Sequence, residues 1–432
     1  MLRRRGGCRV MERRWLWLRA FVSGLLMPPV LANALLRAAP ARPVIDGTFI
    51  QDWLSQGWDD ETWDREFAYL QETGMHYLIV APTAETVTGG VGRTIYPTDL
   101  PGFEMKPGYP DLVEKYLHYA QKYGLKVFIG LNFNDEWWKK GATDRQWLLD
   151  EMEKGNRVAT ELYRKYHSRY PDTFYGWYWV WEVANVGFQL RQQEEALIAA
   201  LNLQLDHLTA LDPNLPFLFC PFMNQRLGTK EQYRDSWIRV FAKTRFRPGD
   251  IFAPQDSVGA GGLTIDSFVG WFVELRKAVD TKPGLLFWSD AETFVQEDWS
   301  SAPLSRFIRQ LNDVAPYVDN IISFAYTHYY SPNLVDPGFH RTYLDYVNNG
   351  KLEQVPPSAP GNVRARVLDS GGVVLVWDPS QDNIGIYSYT VYRDGKIVAV
   401  NKVARPGKPS DDLFFDSFVD TDVERNHTYV YQ

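Results

Sequence analysis

Two glutamates follow apolar segments of the sequence, and their placement points to acid–base chemistry. Glu182 ends the segment FYGWYWVWE, and Glu292 ends LLFWSDAE. Two carboxyl groups beside a glycosidic bond can cleave it, one by protonating the leaving oxygen and the other by attacking the anomeric carbon or activating water. We therefore predict that Glu182 and Glu292 are the catalytic pair of a glycoside hydrolase.

Side-chain alternation along the first segment supports this prediction. With a period of two, Glu182 shares a face with Gly176, Tyr178 and Val180, and that face is predicted to point into a barrel. A carboxylate there is costly to desolvate and needs a partner or a role. The alternative is a salt bridge, but no strand-end segment supplies a basic residue. The predicted inward residues are Gly176, Tyr178, Val180 and Glu182, and those predicted to pack on helices are Tyr175, Trp177, Trp179 and Trp181.

Polar and aromatic residues recur where the other apolar segments end. Amides and acids satisfy hydroxyl groups, and aromatic faces suit the apolar side of a sugar ring. If the glutamate pair is not catalytic, Asp290 and Asp256 are the next candidates. The predicted substrate-binding residues are Gln51, Trp53, Asn132, Trp137, Asn185, Asn224, Gln255, Asp256, Trp288, Asp290, Tyr326 and His328.

We expect neither a metal nor a cofactor. Zinc needs three or four ligands, and His328 stands alone without an HExxH or paired-cysteine motif. A glycine-rich phosphate loop is also missing from the sequence. The alternative is a hard-cation site made of Asp135, Glu136 and Asp256.

Eight apolar segments alternate with helical patterns and must position these residues. Strand-then-helix repetition predicts an α/β fold with a parallel sheet, and eight units predict a closed (β/α)₈ TIM barrel over residues 44–350. The open doubly wound alternative would show a glycine-rich loop after its first strand. Helix ends are predicted at Asp59-Asp60-Glu61, at Pro110 in the first turn of the second helix, and at Gly124. The predicted strands are Val44–Gln51, Tyr77–Ala81, Lys126–Asn132, Phe174–Trp181, Phe217–Phe222, Asp250–Gln255, Leu285–Ser289 and Asn320–Ala325.

The sequence changes character after residue 350. KLEQVPPS at 351–358 is a proline-rich linker, and 359–432 shows short alternating strands. Trp377, the segment SYTVYRDG and Tyr429 resemble a fibronectin type III module, a small all-β sandwich. The fold's last strand would still be needed after Gln432, so we expect this module to be incomplete.

Several barrel segments resemble a known family. IDGTFIQDW, LKVFIGLNFNDEWW, FYGWYWVWEVAN, IFAPQDSVG and LLFWSDAETF are similar to the bacterial domain-of-unknown-function family 4434, regarded as barrel glycosidase-like. Glutamates after the fourth and seventh strands also resemble the retaining clan of (β/α)₈ glycosidases, which implies that Glu182 is the acid/base and Glu292 the nucleophile. That clan usually places Asn before the acid, where this chain has Trp181, and Asn185 is the candidate replacement.

The N-terminus predicts export. Residues 1–34 carry a basic stretch, an apolar run and small residues, the order of a secretory signal peptide. An uncleaved anchor is the alternative, but Arg19 and Pro28-Pro29 shorten the run below the ~20 residues of a span. We expect a bacterial protein that is secreted, periplasmic or at the cell surface, without stable membrane insertion after processing. Met11 is a second candidate start.

Charge indicates the partners. Residues 1–34 contain seven Arg and one Glu, so the whole-chain net charge of −7 becomes −13 without them. An acidic chain repels phosphate backbones, which argues against nucleic acid. The expected partner is a polysaccharide or oligosaccharide, and the fibronectin-like module is a candidate contact for polymer or cell surface. Of the two cysteines, Cys8 lies in the leader, so Cys220 has no partner for a disulfide after processing.

Two other functions fit part of this pattern. A barrel that binds glycans without cleaving them would keep the aromatic residues but hold the carboxylates in an unsuitable geometry. A structural surface protein would use the fibronectin-like module and keep the barrel as a spacer. Polar residues concentrated at strand ends argue against a spacer.

Overall fold

The eight apolar segments form eight parallel strands that close into a barrel in sequence order, with β1 paired to β8. The computed structural model describes residues 42–188, 190–297, 299–352, 354–382, 386, 388–402 and 416–432, so the predicted signal peptide lies outside it. The TIM-barrel prediction is confirmed. The strands are β1 (Gly47–Ile50), β2 (Tyr77–Val80), β3 (Lys126–Gly130), β4 (Phe174–Trp179), β5 (Phe217–Phe219), β6 (Ile251–Phe252), β7 (Leu286–Glu292) and β8 (Asn320–Phe324).

A long helix follows each barrel strand in the described chain and covers the outside of the sheet. Asp59 begins the first by accepting a hydrogen bond from the Thr62 amide, and Gly124 ends the second with a left-handed φ of 75°. Pro110 was predicted inside the first turn of α2, but the N-cap is Asp111, so Pro110 lies just before the helix. The helices are α1 (Asp60–Glu72), α2 (Leu112–Tyr123), α3 (Arg145–Leu162), α4 (Arg191–Leu211), α5 (Lys230–Lys243), α6 (Phe268–Val279), α7 (Leu304–Val314) and α8 (Pro337–Asn349).

The barrel interior is a packed core at the N-terminal half of the strands. Trp288 lies there, with its ring centroid 5.2 Å from that of Tyr77. Tyr175 was predicted to face the helices, but it packs inside against Phe128, at 5.3 Å between centroids. The pairing of β3 with β4 shifts register between Phe174 and Gly176, and such a bulge turns the extra side chain to the other face. The other tryptophans of β4 and its extension do face the helices, as predicted: Trp177, Trp179 and Trp181.

Additional short elements surround the C-terminal ends of the strands. They form the walls above the barrel, where substrate clefts of this fold lie. Short helices follow β1, β3 and β8: Asp52–Ser55, Trp137–Lys140 and Tyr326–Tyr329. Single 3₁₀ turns span Gly141–Thr143, Asn185–Phe188 and Ala315–Tyr317, and a π-helical turn (Tyr163–His167) extends α3. A four-stranded sheet joins Phe103–Met105, Gly92–Thr94, Ala84–Glu85 and Asn132–Phe133, and a hairpin pairs Phe294–Val295 with Ser300–Ser301.

Residues after 360 form two small antiparallel sheets, as the alternating pattern predicted. A separate core joins Trp377 and Leu375 of one sheet to Tyr389 and Val391 of the other. The Tyr429 hydroxyl accepts a hydrogen bond from the Glu424 amide, 2.8 Å away. The fibronectin type III assignment and the domain boundaries remain predictions. The strands are β9 (Gly361–Val367), β10 (Val373–Asp378) and β13 (Ser417–Asp420) in one sheet, and β11 (Ser388–Arg393) and β12 (Lys396–Lys402) in the other.

None of the described helices is both long and apolar enough to span a membrane.

Candidate active site

A cavity of about 560 Å³ opens at the C-terminal ends of the barrel strands. This size is typical of a small-molecule site. Six of the residues predicted from the sequence line it: Gln51, Trp53, Glu182, Gln255, Asp290 and His328.

Glu182 lies on the cavity wall in an ordered setting. It stands three residues beyond the end of β4, and its side chain is hydrogen-bonded to Gln255. The Trp137 indole donates to the Glu182 backbone carbonyl at 2.9 Å, which fixes this part of the chain. Burial raises the pKa of the Glu182 carboxyl to about 7. A carboxyl group with this pKa is partly protonated at neutral pH and can donate a proton.

Asp290 and Glu292 project from β7 on the same face, two residues apart. Asp290 lines the cavity, and its Oδ1 has no hydrogen-bond partner among the described residues. Glu292, the last residue of β7, lies behind the wall: its Oε2 accepts from the Ala260 amide at 2.7 Å, and its Oε1 lacks a described partner. Both carboxyl groups are almost completely buried. One oxygen of each carboxyl group thus lacks a described protein partner, and of the two residues Asp290 is the one that borders the cavity.

Like charges dominate the electrostatics of the cavity. Burial first, and then the neighbouring carboxylates, raise the pKa values of Asp290 and Glu292 well above the usual range. None of the described residues that line the cavity is Lys or Arg. Carboxyl groups this close without a cation cannot all ionise, so at neutral pH the cluster retains protons.

Aromatic rings form the rest of the wall, and the sequence analysis missed most of them as site residues. Trp53, predicted, is 53% exposed, and Trp138 and Trp299, not predicted, are 62% and 47% exposed. His328 packs between Trp53 and the β8 end, and burial lowers its pKa to about 3, so it is neutral. Alternation already marked Tyr178 as inward, whereas the loop aromatics had no periodic signal. The aromatic lining residues outside the predicted set are Phe49, Phe133, Trp138, Tyr178, Phe294, Trp299, Phe324 and Tyr329.

Asn132 and Trp137 were predicted to bind substrate, and neither lines this cavity. Asn132 is fully buried and donates to the Glu151 carboxylate of α3 at 3.1 Å, so its role is to fix the loop after β3. Trp137 points toward Glu182 and Trp181 instead, and it lines a smaller neighbouring cavity.

Asn185 and Asn224 also lie outside the cavity. The Asn185 amide donates to the Asn224 carbonyl at 2.8 Å, and the Asn224 backbone amide donates back at 3.0 Å. This reciprocal pair joins the loops after β4 and β5. Asn185 thus anchors the loop after β5, and its role beside Glu182 stays a prediction of the clan resemblance.

Three further residues predicted to contact substrate do not line the cavity, because each side chain packs against another part of the barrel. Asp256 is buried against α7, where the Gln310 amide donates to it at 2.5 Å. Trp288 lies in the core below the cavity. Tyr326 is hydrogen-bonded to His340 of α8 at 2.5 Å, on the outer side of the barrel.

Metal binding has no support in the described chain. No group of three His, Cys, Asp or Glu side chains there is arranged to hold an ion. Of the alternative cation ligands, Glu136 is paired with Lys140 at 2.7 Å, and Asp256 lies against α7.

The barrel region matches the model of a known protein family. A family model described as a domain of unknown function, DUF4434, matches residues 45–336. The chain belongs to this family. The DUF4434 resemblance predicted from the strand segments is thus confirmed, and the matched range covers all eight barrel strands.

Solved structures share the fold of this DUF4434 chain. A putative α-L-fucosidase from Bacteroides thetaiotaomicron is similar with a TM-score of 0.59 and 21% identity, over 75% of this chain and 99% of the fucosidase. An intracellular xylanase from Thermoanaerobacterium saccharolyticum has a TM-score of 0.40 and 12% identity, over 64% and 84% of the two chains. At 21% identity, the likeness to the fucosidase concerns the barrel fold alone.

A curated relative matches over a short segment. An amylopullulanase of Thermoanaerobacterium saccharolyticum is 38% identical over 79 residues, which are 18% of the DUF4434 chain and 6% of the amylopullulanase. The chain thus spans a small part of that enzyme's length.

Proposed function

We propose that this chain is an exported glycoside hydrolase that cleaves a polysaccharide or oligosaccharide with two carboxyl groups. The observation that carries the proposal is Glu182, whose carboxyl lies on the wall of an aromatic-lined cavity, has a pKa of about 7, and faces the carboxyls of β7. Glycosidases need one carboxyl that holds a proton and one that does not, and different environments produce this difference.

Glu182 acts as the acid and Glu292 as the nucleophile. In the first step Glu292 bonds to the anomeric carbon while the bond to the leaving oxygen breaks and Glu182 transfers its proton to that oxygen. In the second step water attacks the same carbon, Glu182 takes its proton, and Glu292 is released. Burial and the neighbouring carboxyl groups raise the pKa of Glu292, and the Ala260 amide that donates to it opposes this effect by stabilising the carboxylate form. We predict 5 to 5.5 Å between the two carboxyl groups, the separation of retaining enzymes.

Asp290 is the second candidate for the nucleophile, because it lines the cavity directly while Glu292 lies behind the wall. Separate variants distinguish them. Glu292→Gln should lower kcat by about 10³-fold or more, whereas Asp290→Asn should leave measurable turnover. The reverse order would make Asp290 the nucleophile.

Glycan binding without cleavage is the alternative function. It accounts for Trp53, Trp138 and Trp299, but a binding site gains nothing from two nearly buried acids, Asp290 and Glu292, since burying them costs stability. Cleavage gives these groups a role. A barrel that served only as a spacer would need neither the exposed tryptophans nor the buried carboxyl groups.

The experiment is a screen of the purified mature protein on a polysaccharide panel and on 4-nitrophenyl glycosides, with reducing-sugar release as readout. Glu182→Gln should lose most activity on substrates with poor leaving groups, and azide should partly restore it by attacking the glycosyl intermediate. Asp135→Asn is the control, because Asp135 is exposed and does not line the cavity. Binding of glycans with no cleavage by the parent would replace this function with the binding barrel.

Export is part of the proposal and rests on residues 1–34. Expression of the full chain in a bacterium should yield a protein that starts after residue 34 outside the cytoplasm. N-terminal sequencing of the exported fraction is the measurement. A retained leader in the membrane fraction would favour the anchor.

A further inference from the structure

A second, smaller cavity of about 240 Å³ adjoins the first at Glu182. Both cavities include Glu182 and Trp138 in their walls. The second is otherwise formed by the loop after β3 and by the start of α4, with Trp137 and Leu197 as apolar wall and Lys139 as a polar group. Glu182 therefore stands between two spaces rather than at the bottom of one.

We infer that the second cavity binds the sugar on the leaving-group side of the scissile bond, so that the substrate is an oligosaccharide or polysaccharide chain. The inference rests on the proposed function. An acid that protonates the glycosidic oxygen must lie between the ring that is attacked and the group that leaves. In this arrangement the attacked ring lies in the large cavity, whose wall includes Asp290, and the departing sugar lies on the other side of Glu182.

The walls of the second cavity suit a sugar ring. Trp138 is 62% exposed and belongs to both cavities, so its flat face can support a chain that passes from one to the other. Trp137 lies below and is hydrogen-bonded to the Glu182 carbonyl. The Trp137 ring thus lines the second cavity and also fixes the backbone of Glu182. A sugar bound in that cavity and the Glu182 acid therefore keep a constant relative position.

Gly187 permits a direct test, because it lines the second cavity and is not among the residues of the first. A Cβ added there meets no atom of the described residues within 4 Å, which leaves room for a large side chain beside the cavity. Gly187→Trp should fill the space that the leaving sugar needs. Gly57→Trp is the matched control: Gly57 is exposed, lines neither cavity, and its added Cβ is equally free.

The experiment compares kcat/KM on a 4-nitrophenyl glycoside with kcat/KM on oligosaccharides that carry the same terminal sugar. Gly187→Trp should lower the ratio of oligosaccharide to aryl-glycoside activity about tenfold, the loss expected for one site of sugar contact. Gly57→Trp should leave that ratio unchanged. Equal loss on both substrates, or an unchanged ratio in Gly187→Trp, would overturn the inference and would mean that the second cavity admits only water.

Failure of the proposed function gives a different result. If the parent cleaves neither substrate class, the hydrolase proposal fails, and calorimetric titration with intact oligosaccharides then tests the cavity separately. Weaker binding to Gly187→Trp than to the parent would support a chain that crosses both cavities. Equal affinity, or cleavage of aryl glycosides by a parent that neither binds nor cleaves oligosaccharides, would refute it.

Discussion

The carboxyl groups in and behind the cavity wall have different local environments, which determine how they share their protons. Glu182 has a Gln255 side chain as its hydrogen-bond partner, whereas Asp290 and Glu292 are nearly buried and lie near each other's charge. Alternation along the strands could predict that Glu182, Asp290 and Glu292 point inward, because the period of two is local. It could not predict that Asp256, on the neighbouring β6 end, faces α7, because that depends on Gln310.

The first prediction at the residue scale concerns pH. Because burial raises the pKa of Glu182 to about 7, the acid is protonated below that pH and loses its proton above it. The value of kcat/KM on a substrate with a poor leaving group should therefore fall as pH rises through about 7. In Glu182→Gln this alkaline limb should disappear, as measured by a pH–rate profile from pH 5 to 9. A limb that persists in the variant would assign the titration to another group.

At the scale of elements, buried polar side chains on the helices hold the loops that carry the site. Each connects a helix to a loop at the C-terminal end of the barrel, so loop position depends on tertiary contacts between residues distant in sequence. This explains why the strands and helices were predictable from periodicity, while the contacts of Asn132 and Asp256 were not. The three connections are Glu66 to Asn333, Glu151 to Asn132, and Gln310 to Asp256.

Glu66 of α1 offers a prediction on stability. It is fully buried and accepts hydrogen bonds from Ser331 and Asn333, in the loop that follows the His328 helix. Burial raises its pKa from 4.5 to about 7, so the folded chain binds the proton more tightly than the unfolded chain. Its contribution to stability is therefore full below about pH 4.5 and falls as pH rises to about 7, by about 3 kcal/mol.

Glu66→Gln removes this titration, since an amide keeps the shape but carries no charge. The free energy of unfolding, measured with urea between pH 4.5 and 8, should fall less with pH in the variant than in the parent. Glu61→Gln is the control, because Glu61 is on the same helix but its side chain is 78% exposed. Parallel pH dependence in Glu66→Gln and the parent would show that Glu66 is not protonated in the folded chain.

At the scale of the whole molecule, the sequence pattern changes from strand–helix repeats to alternating strands, and each part of the chain has its own hydrophobic core. The barrel is built from strand–helix repeats, and the segment after residue 360 buries its own cluster around Trp377. The change of pattern was predictable because helical periodicity stops after α8. The pairing of β9–β13 was not, since alternation alone does not specify which strands are neighbours.

The last prediction is that residues 42–350 fold alone as a barrel. The strands close on one another, so the barrel sheet has no edge that the later segment must cover. Arg42 is retained because its guanidinium donates to the Val347 carbonyl of α8 at 2.6 Å, which ties the two ends of the barrel together. By calorimetry this truncated chain should unfold in one cooperative transition, within about 5 °C of the barrel transition of the full chain. Glu182 and β7 remain in it, so any glycosidase activity on soluble substrates should persist as well. Loss of cooperative unfolding would contradict this prediction. It would mean that residues after 350 contribute contacts that the barrel's core needs.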